Sequence, residues 1–150
     1  MNSPKPHAYQ APAKLLNMPV KKILISSLII FIFVFFFEAL LHGFLLRGIY
    51  ESTAHLWRPY EEMKAFFPYS LTIQLGFSVI ISLFYTVIIK EKTMKNALSF
   101  GAFLGLLFGW TQLGLYAYMP IPFMLAQAWF FGVFLESVVI GAVLGLVYKR

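Results

Sequence analysis

Cysteine and aspartate are both absent from this 150-residue chain, and each absence removes a class of function. Without cysteine there can be no disulfide, no thiolate metal site and no cysteine nucleophile. Without aspartate there is no Ser-His-Asp triad, and the sequence also has neither a serine nucleophile motif nor a phosphate-binding glycine loop. The sequence therefore assigns no catalytic residue.

Charge is also scarce, because only 12% of the residues are charged while 60% are apolar. This balance is far from that of a soluble globular protein and predicts an integral membrane protein. The net charge of +6 comes from basic residues that stand singly or in small groups at the ends of apolar runs. That placement indicates anchoring in a lipid bilayer, and we expect no nucleic-acid partner.

Four apolar stretches, at about 23–46, 69–89, 97–118 and 123–147, reach or approach the ~20 residues that cross a bilayer core. The sequence thus predicts an all-α fold, an integral membrane four-helix bundle over residues 21–150. Residues 1–20 contain four prolines and are expected to form a flexible cytoplasmic tail. In the first connection, Pro59 followed by Glu61 and Glu62 predicts a short interfacial helix.

The lysines predict the orientation of the chain. Three basic clusters fall on the same side of a four-span protein, and the third connection carries no charge. Both termini are therefore expected in the cytoplasm. The clusters are Lys14, Lys21 and Lys22, then Lys90, Lys92 and Lys95, and finally Lys149 and Arg150.

Glycines at intervals of four residues mark one face of each of the last two spans. Such small-residue stripes let helix backbones approach closely. Counting from the span ends places Gly101 at the depth of Gly145 and Gly105 at the depth of Gly141. We expect the third and fourth spans to touch there, with homodimerisation through the same stripe as the alternative. The two stripes are Gly101, Gly105 and Gly109, and Gly141 and Gly145.

Glu38 and His42 interrupt the first span, and their spacing places them on one face of a helix. A glutamate exposed to lipid is costly, so this face should point into the bundle or into an aqueous cavity. Each later span supplies one glutamine at a similar depth below the outer surface, which predicts a pocket open to the outside. The alternative is a dry hydrogen-bonded layer that sets helix register. The glutamines are Gln74, Gln112 and Gln127.

Glu136 is the second glutamate inside an apolar run, near the middle of the fourth span. One interpretation is a structural hydrogen bond from this carboxyl group to Ser78 or Ser82. The other is a proton-titrating carboxylate in a transport cycle.

The first connection also repeats the Glu-x-x-x-His spacing in ESTAH, Glu51 to His55. Together with Trp57 and Arg58 these residues are expected in the interfacial layer, in contact with lipid headgroups or acting as acid and base. A metal site is not expected, because the later spans contain no His, Cys or Asp to complete it. No cofactor is expected either.

The stretch LLHGFLLRGIYESTAHLWRPYEEM, followed by three more spans and the ending GAVLGLVYK, resembles small four-span bacterial inner-membrane proteins of unknown function. The resemblance covers roughly residues 35–150 and implies a bacterial inner membrane, but it carries over no functional residue. We expect a non-enzymatic accessory or small-molecule-binding component, with a homo-oligomer or a membrane-protein partner left open. A small proton- or cation-coupled transporter is the alternative, and a lipid-headgroup-modifying enzyme is the third.

Overall fold

The structure, a computed structural model, describes residues 18–149, and within that range it is helical with no strand. A π-helical segment, Ala39–Leu45, continues the first helix, and short 3-10 turns occupy Ala54–Leu56 and Leu115–Ala117. The predicted all-α four-helix fold is confirmed, and a short helix does lie in the first connection. The six α-helices of residues 18–149 are α1 (Val20–Glu38), α2 (Arg47–Ser52), α3 (Tyr60–Ala65), α4 (Phe67–Ile88), α5 (Met94–Gly114) and α6 (Phe123–Tyr148).

Four of the helical segments are long and apolar enough to cross a membrane. The shortest has 22 residues, which corresponds to about 33 Å at the rise of an α-helix. The chain is therefore a multi-pass helical membrane protein. Of the predicted tail, residues 1–17 lie outside the described part of the chain. The four segments are Val20–Leu45, Phe67–Ile88, Met94–Ala117 and Phe123–Tyr148.

The hairpin of α5 and α6 forms the most extensive helix contact, and α1 packs against both α4 and α6. The core between them is apolar, and α4 reaches α5 through the rings of Tyr85 and Phe100, whose centroids are 5.4 Å apart. All four spans thus bury side chains in one bundle. The largest fully buried apolar side chains in residues 18–149 are Ile30, Tyr85, Leu125, Ile140 and Leu144.

The α5–α6 contact is closest where two glycines meet. A Cβ atom added to Gly101 would collide with the carbonyl oxygen of Ser137 and lie 3.0 Å from the Cα of Gly141. A Cβ atom added to Gly141 would lie 2.5 Å from the carbonyl oxygen of Ala97. The two backbones are therefore in direct contact, and neither position has room for a side chain.

The register of this contact differs by one turn from the depths counted along the sequence. Gly101, rather than Gly105, faces Gly141, while Gly105 packs against Phe134. The count placed the start of the third span at residue 97, but α5 begins at Met94. Every residue of α5 therefore lies about one turn farther from that end of the bundle than the count assumed. The remaining stripe residues also have close neighbours, Phe130 for Gly109 and Met94 and Ala97 for Gly145.

The end of the bundle where α1 and α5 begin and α4 and α6 end carries the lysine clusters, and we call it the basic end. Here the Lys92 ammonium group caps α4: it donates to the carbonyl oxygens of Tyr85 at 2.9 Å and Thr86 at 3.0 Å, and also to that of Ile89. Its nitrogen lies 4.5 Å from the centroid of the Tyr85 ring. Burial lowers the pKa of the Lys92 ammonium group.

Candidate functional site at the opposite end of the bundle

Glu38 and His42 lie where α1 changes into the π-helix, at the end of the bundle opposite the lysines, which we call the pocket end. The π-helix spans Ala39–Leu45, and just past it the amide of Leu46 bonds to the carbonyl oxygen of Leu41 at 2.9 Å, a five-residue step. Short π-helical segments are rare and are frequent at functional sites. His42 Nε2 lies 3.1 Å from Glu38 Oε2, and the two side chains are 35% and 41% exposed. The two polar groups thus contact each other and remain accessible.

A chain of hydrogen bonds extends from this pair to two other helices. His42 Nδ1 lies 2.5 Å from the Tyr50 hydroxyl oxygen of α2. Trp129 Nε1 of α6 donates to the same oxygen at 2.7 Å. Glu38, His42, Tyr50 and Trp129 therefore join α1, α2 and α6 through side chains alone.

The hydrogen bonds in this chain have a defined direction. An indole N–H can only donate, so the Trp129 bond uses a lone pair of Tyr50. Burial raises the pKa of the Tyr50 phenol, so its oxygen keeps its proton. The Glu38 carboxylate can only accept, so Nε2 of a neutral His42 carries the hydrogen, and Nδ1 then accepts the Tyr50 proton. The network thus selects one tautomer of the imidazole and ends on the carboxylate.

Aromatic contacts fold the first connection back onto α6. The ring centroid of Trp57 lies 5.4 Å from that of Tyr50 and 6.2 Å from that of Trp129. Trp57 Nε1 donates to the buried hydroxyl of Thr53 at 3.0 Å. An apolar cluster centred on Leu46, Ile121, Leu125 and Ala126 packs beneath these rings. These contacts hold Tyr50 in place against His42.

A cavity of about 280 Å³ opens beside the Glu38–His42 pair. Its size is near the lower limit of ligand pockets, which begin at about 300 Å³. Three of its lining side chains are polar and the others form apolar or aromatic walls, as in many small-molecule sites. The lining residues are Glu38, Leu41, His42, Gln112, Leu115, Met119, Trp129 and Val133.

Of the three glutamines predicted to reach this pocket, Gln112 lines the cavity and the other two do not. Gln74 donates from Nε2 to the carbonyl oxygen of Phe31 at 3.3 Å and so joins α4 to α1. The side chain of Gln127 is exposed. The predicted common depth is therefore wrong for Gln74, because Phe31 lies about two turns deeper on α1 than Glu38. Gln127 is separated from the cavity by the direction of its side chain.

Glu136 lies three residues after Val133 on α6, about one turn deeper than the cavity. It is 9% exposed, and its Oε1 atom has no hydrogen-bond partner within residues 18–149. The two serines predicted to bond to it donate within their own helix instead, Ser78 to the carbonyl oxygen of Gln74 at 2.8 Å and Ser82 to that of Ser78 at 2.9 Å. Glu136 is therefore a buried carboxyl group beside the floor of the pocket.

The charged residues of the first connection are exposed, and four of them form two ion pairs. Glu51 accepts a hydrogen bond from Arg47 Nε at 2.7 Å, Arg58 lies 3.7 Å from Glu62, and all four side chains are exposed. His55 is also exposed. Within the described range, no three His or Glu side chains are placed to hold a metal ion.

Tyr50 and Trp129 belong to the site but were not predicted as site residues. Each is an aromatic side chain with one polar atom, and such atoms usually find a partner when they are buried. That rule could have raised both as candidates. The identity of the partner could not have been found, because 79 residues separate the two in the sequence.

Comparison with protein-family models, with curated proteins and with solved structures found no match in any of the three. The class of the protein therefore follows from its fold and site: a multi-pass helical membrane protein with a polar pocket at one end of the bundle.

Proposed function

We propose that this protein is a small-molecule-binding component of the membrane, and that its ligand is a small cation with an apolar part. The observation that supports this is the position of Glu38 in a cavity whose walls are otherwise neutral or titratable. None of the residues that line the cavity is a lysine or an arginine. The charge of the carboxylate therefore has no permanent counter-ion there, and a cationic ligand would supply one.

The rest of the lining fits such a ligand. An ammonium group can donate to Glu38 and to the amide oxygen of Gln112, and the Trp129 ring offers a π-system of the kind that attracts cations. Leu41, Leu115, Met119 and Val133 provide apolar surface. Burial of an alkyl chain against such surface contributes roughly 0.8 kcal/mol per CH₂ group.

The proposal is tested by calorimetric titration of the purified protein in mild detergent with hexylammonium and with 1-hexanol, which has the same alkyl chain and no charge. Hexylammonium should bind saturably, and 1-hexanol should show only partition into the micelle. Glu38→Gln should weaken hexylammonium by about tenfold or more, because a charged hydrogen bond contributes roughly 1.5–3 kcal/mol. Glu91→Gln, at the basic end, is the matched control for loss of one charge. Equal binding of the two probes, or an equal loss in both variants, would contradict the proposal.

A small proton- or cation-coupled transporter is the second candidate, and Glu136 favours it. This buried carboxyl group lies one turn deeper on α6 than Val133, which lines the cavity. One ionisable side chain, Glu38, thus lies in the cavity, and a second, Glu136, lies deeper in the bundle. Ionisable residues inside membrane spans commonly mark transport pathways. In proteoliposomes, a pH gradient should then drive uptake of radiolabelled hexylammonium beyond the passive accumulation measured in protein-free liposomes, and Glu136→Gln should abolish this excess. Absence of uptake by the wild-type protein would reject transport and leave binding.

We further propose that the basic end faces the cytoplasm of a bacterial inner membrane. The lysines in the first turn of α1, around the α4–α5 connection and after α6 all favour this orientation, because positively charged segments are retained on the cytoplasmic side. The pocket end would then face outward, and its ligand would come from outside the cell. In this orientation the partner of the protein is the lipid bilayer that surrounds its four spans. A second copy of the chain would be needed only for transport, since four helices barely enclose a pathway.

A further inference from the structure

We infer that the pocket exchanges one proton for one cation, with Glu38 and His42 as the exchanging pair. The cation binds to Glu38 when His42 is neutral and is displaced when His42 becomes protonated. This inference rests on the proposed cation site and adds how that site is regulated.

The contact between the two side chains supports the exchange. His42 Nε2 is 3.1 Å from Glu38 Oε2, so an imidazolium at this position would form an ion pair with the carboxylate. A neutral imidazole donates the same hydrogen bond but leaves the negative charge unbalanced. The carboxylate can therefore be neutralised by the imidazolium or by the ligand, and the two compete.

The hydrogen-bond chain determines where the exchanged proton is added. In the neutral state Nε2 already carries a hydrogen, and Nδ1 accepts the Tyr50 hydroxyl proton. The incoming proton therefore adds at Nδ1, and Tyr50 becomes an acceptor from both His42 and Trp129, which its two lone pairs allow. The Tyr50 hydroxyl hydrogen rotates away, one proton is gained and no covalent bond is broken.

The other groups around His42 leave two competing titratable residues, Glu38 and Glu136. On α2, the Tyr50 phenol stays protonated, and Arg47 is paired with Glu51 at 2.7 Å. On α5, Gln112 carries no charge. On α6, Trp129 and Val133 carry none, and Glu136 lies one turn deeper. Glu136, together with Glu38 itself, is therefore the alternative source of any pH dependence.

The size of the effect follows from the repulsion between two positive charges in one small cavity. At about 6 Å and an effective dielectric constant of about 20, the repulsion corresponds to a change in affinity on the order of 10- to 100-fold. Linkage is reciprocal, so a proton that weakens the cation must in turn be released when the cation binds.

The test is calorimetric titration with hexylammonium, which stays charged throughout, at several values between about pH 5 and pH 8, the range in which histidine changes charge. Each titration is repeated in two buffers with different ionisation enthalpies, which counts the protons released. In the wild-type protein, the Kd should rise by about tenfold or more on acidification, with up to one proton released per hexylammonium bound. In His42→Gln, the ratio of the Kd at acidic pH to the Kd at neutral pH should fall toward one, whatever the affinity of this variant. In Glu136→Gln, this ratio should stay as large as in the wild-type protein. His42→Asn serves as a second uncharged replacement if the first does not fold.

Each other result would reject a different statement. Saturable binding with no pH dependence and no proton release would overturn the exchange and leave the cation site standing. Proton release that persists in both His42 variants would assign the proton to Glu38 or Glu136 and overturn the role of His42. An absence of hexylammonium binding at every pH would overturn the proposed function and the exchange together.

Discussion

Trp129 donates a hydrogen bond to the Tyr50 hydroxyl oxygen across 2.7 Å, and this bond joins residues that are 79 positions apart in the chain. It holds the first connection against α6 on the side of the pocket where His42 lies. The same oxygen contacts His42 Nδ1 at 2.5 Å. The bond therefore links the folding of the connection to the arrangement of the polar pair.

Trp129→Phe should loosen this connection. The variant keeps an aromatic ring but loses the N–H donor, and one hydrogen bond contributes about 1 kcal/mol. Amide hydrogen exchange over residues 47–57 should become faster while exchange in α4 stays unchanged. Trp110→Phe is the control, because that side chain is 70% exposed. Equal exchange in the two variants would show that the Trp129 bond does not hold the connection.

Gly101→Ala should destabilise the bundle in mild detergent. The new Cβ would meet the backbone of Ser137 and Gly141, and overpacking of this kind costs about 1–3 kcal/mol. Gly114→Ala is the matched control, because nothing lies within 4 Å of its Cβ position. This control should be neutral or slightly stabilising, since alanine favours helices over glycine by about 1 kcal/mol. Equal thermal stability of the two variants would contradict the observed α5–α6 contact.

Lys92→Met should lower the stability of the basic end. Methionine retains most of the aliphatic stem but cannot donate to the carbonyl oxygens at the end of α4, and hydrogen bonds to charged groups contribute roughly 1.5–3 kcal/mol. Lys95→Met removes a charge from an exposed side chain on the same end and is the control. Thermal unfolding of the two variants in the same detergent measures the difference. Indistinguishable unfolding temperatures would mean that the Lys92 cap contributes no stability.

A cysteine at position 112 should react with a membrane-impermeant thiol reagent added from the pocket side, because Gln112 lines the cavity. Native cysteines do not interfere, since the chain has none. A cysteine at position 34 should be protected, because Val34 is 6% exposed and packs in the core. Hexylammonium should slow the reaction at position 112. If position 112 is as unreactive as position 34, the polar groups form a dry layer and no ligand pocket exists.

The proposed orientation predicts the behaviour of reporter fusions. A reporter that works only outside the cytoplasm should be silent when fused to the C-terminus and active when inserted after Met63, in the short helix α3 of the first connection. The reverse pattern would place the pocket on the cytoplasmic side and assign the ligand to the cell interior.

Much of this fold could be predicted from composition and local spacing. In lipid, backbone N–H and C=O groups must bond to one another because water is absent. A run of ~20 apolar residues therefore forms a helix, in which all of these bonds lie within the segment. The contact between Glu38 and His42 follows in the same way, because residues four apart share a face. These features depend on interactions within one segment, and a single segment is enough to determine them.

Only the tertiary structure determined the rotation of each helix about its axis and its register along the neighbouring helices. Of the three glutamines expected at one depth, only Gln112 enters the cavity. Gln74 bonds to Phe31, which lies about two turns deeper on α1 than Glu38, and the side chain of Gln127 is exposed. Packing of all four spans sets both the height and the rotation of each helix. Gly101 meets Gly141, one turn away from the counted register, because α5 begins at Met94.

The sequence by itself thus determined the four long helices and the Glu38–His42 pair, through backbone hydrogen bonding and local spacing. Only the tertiary structure decided that Tyr50 and Trp129 complete the chain of hydrogen bonds from that pair. The physical reason is that the directions of these side chains depend on the relative rotation of helices distant in sequence, which local periodicity does not encode.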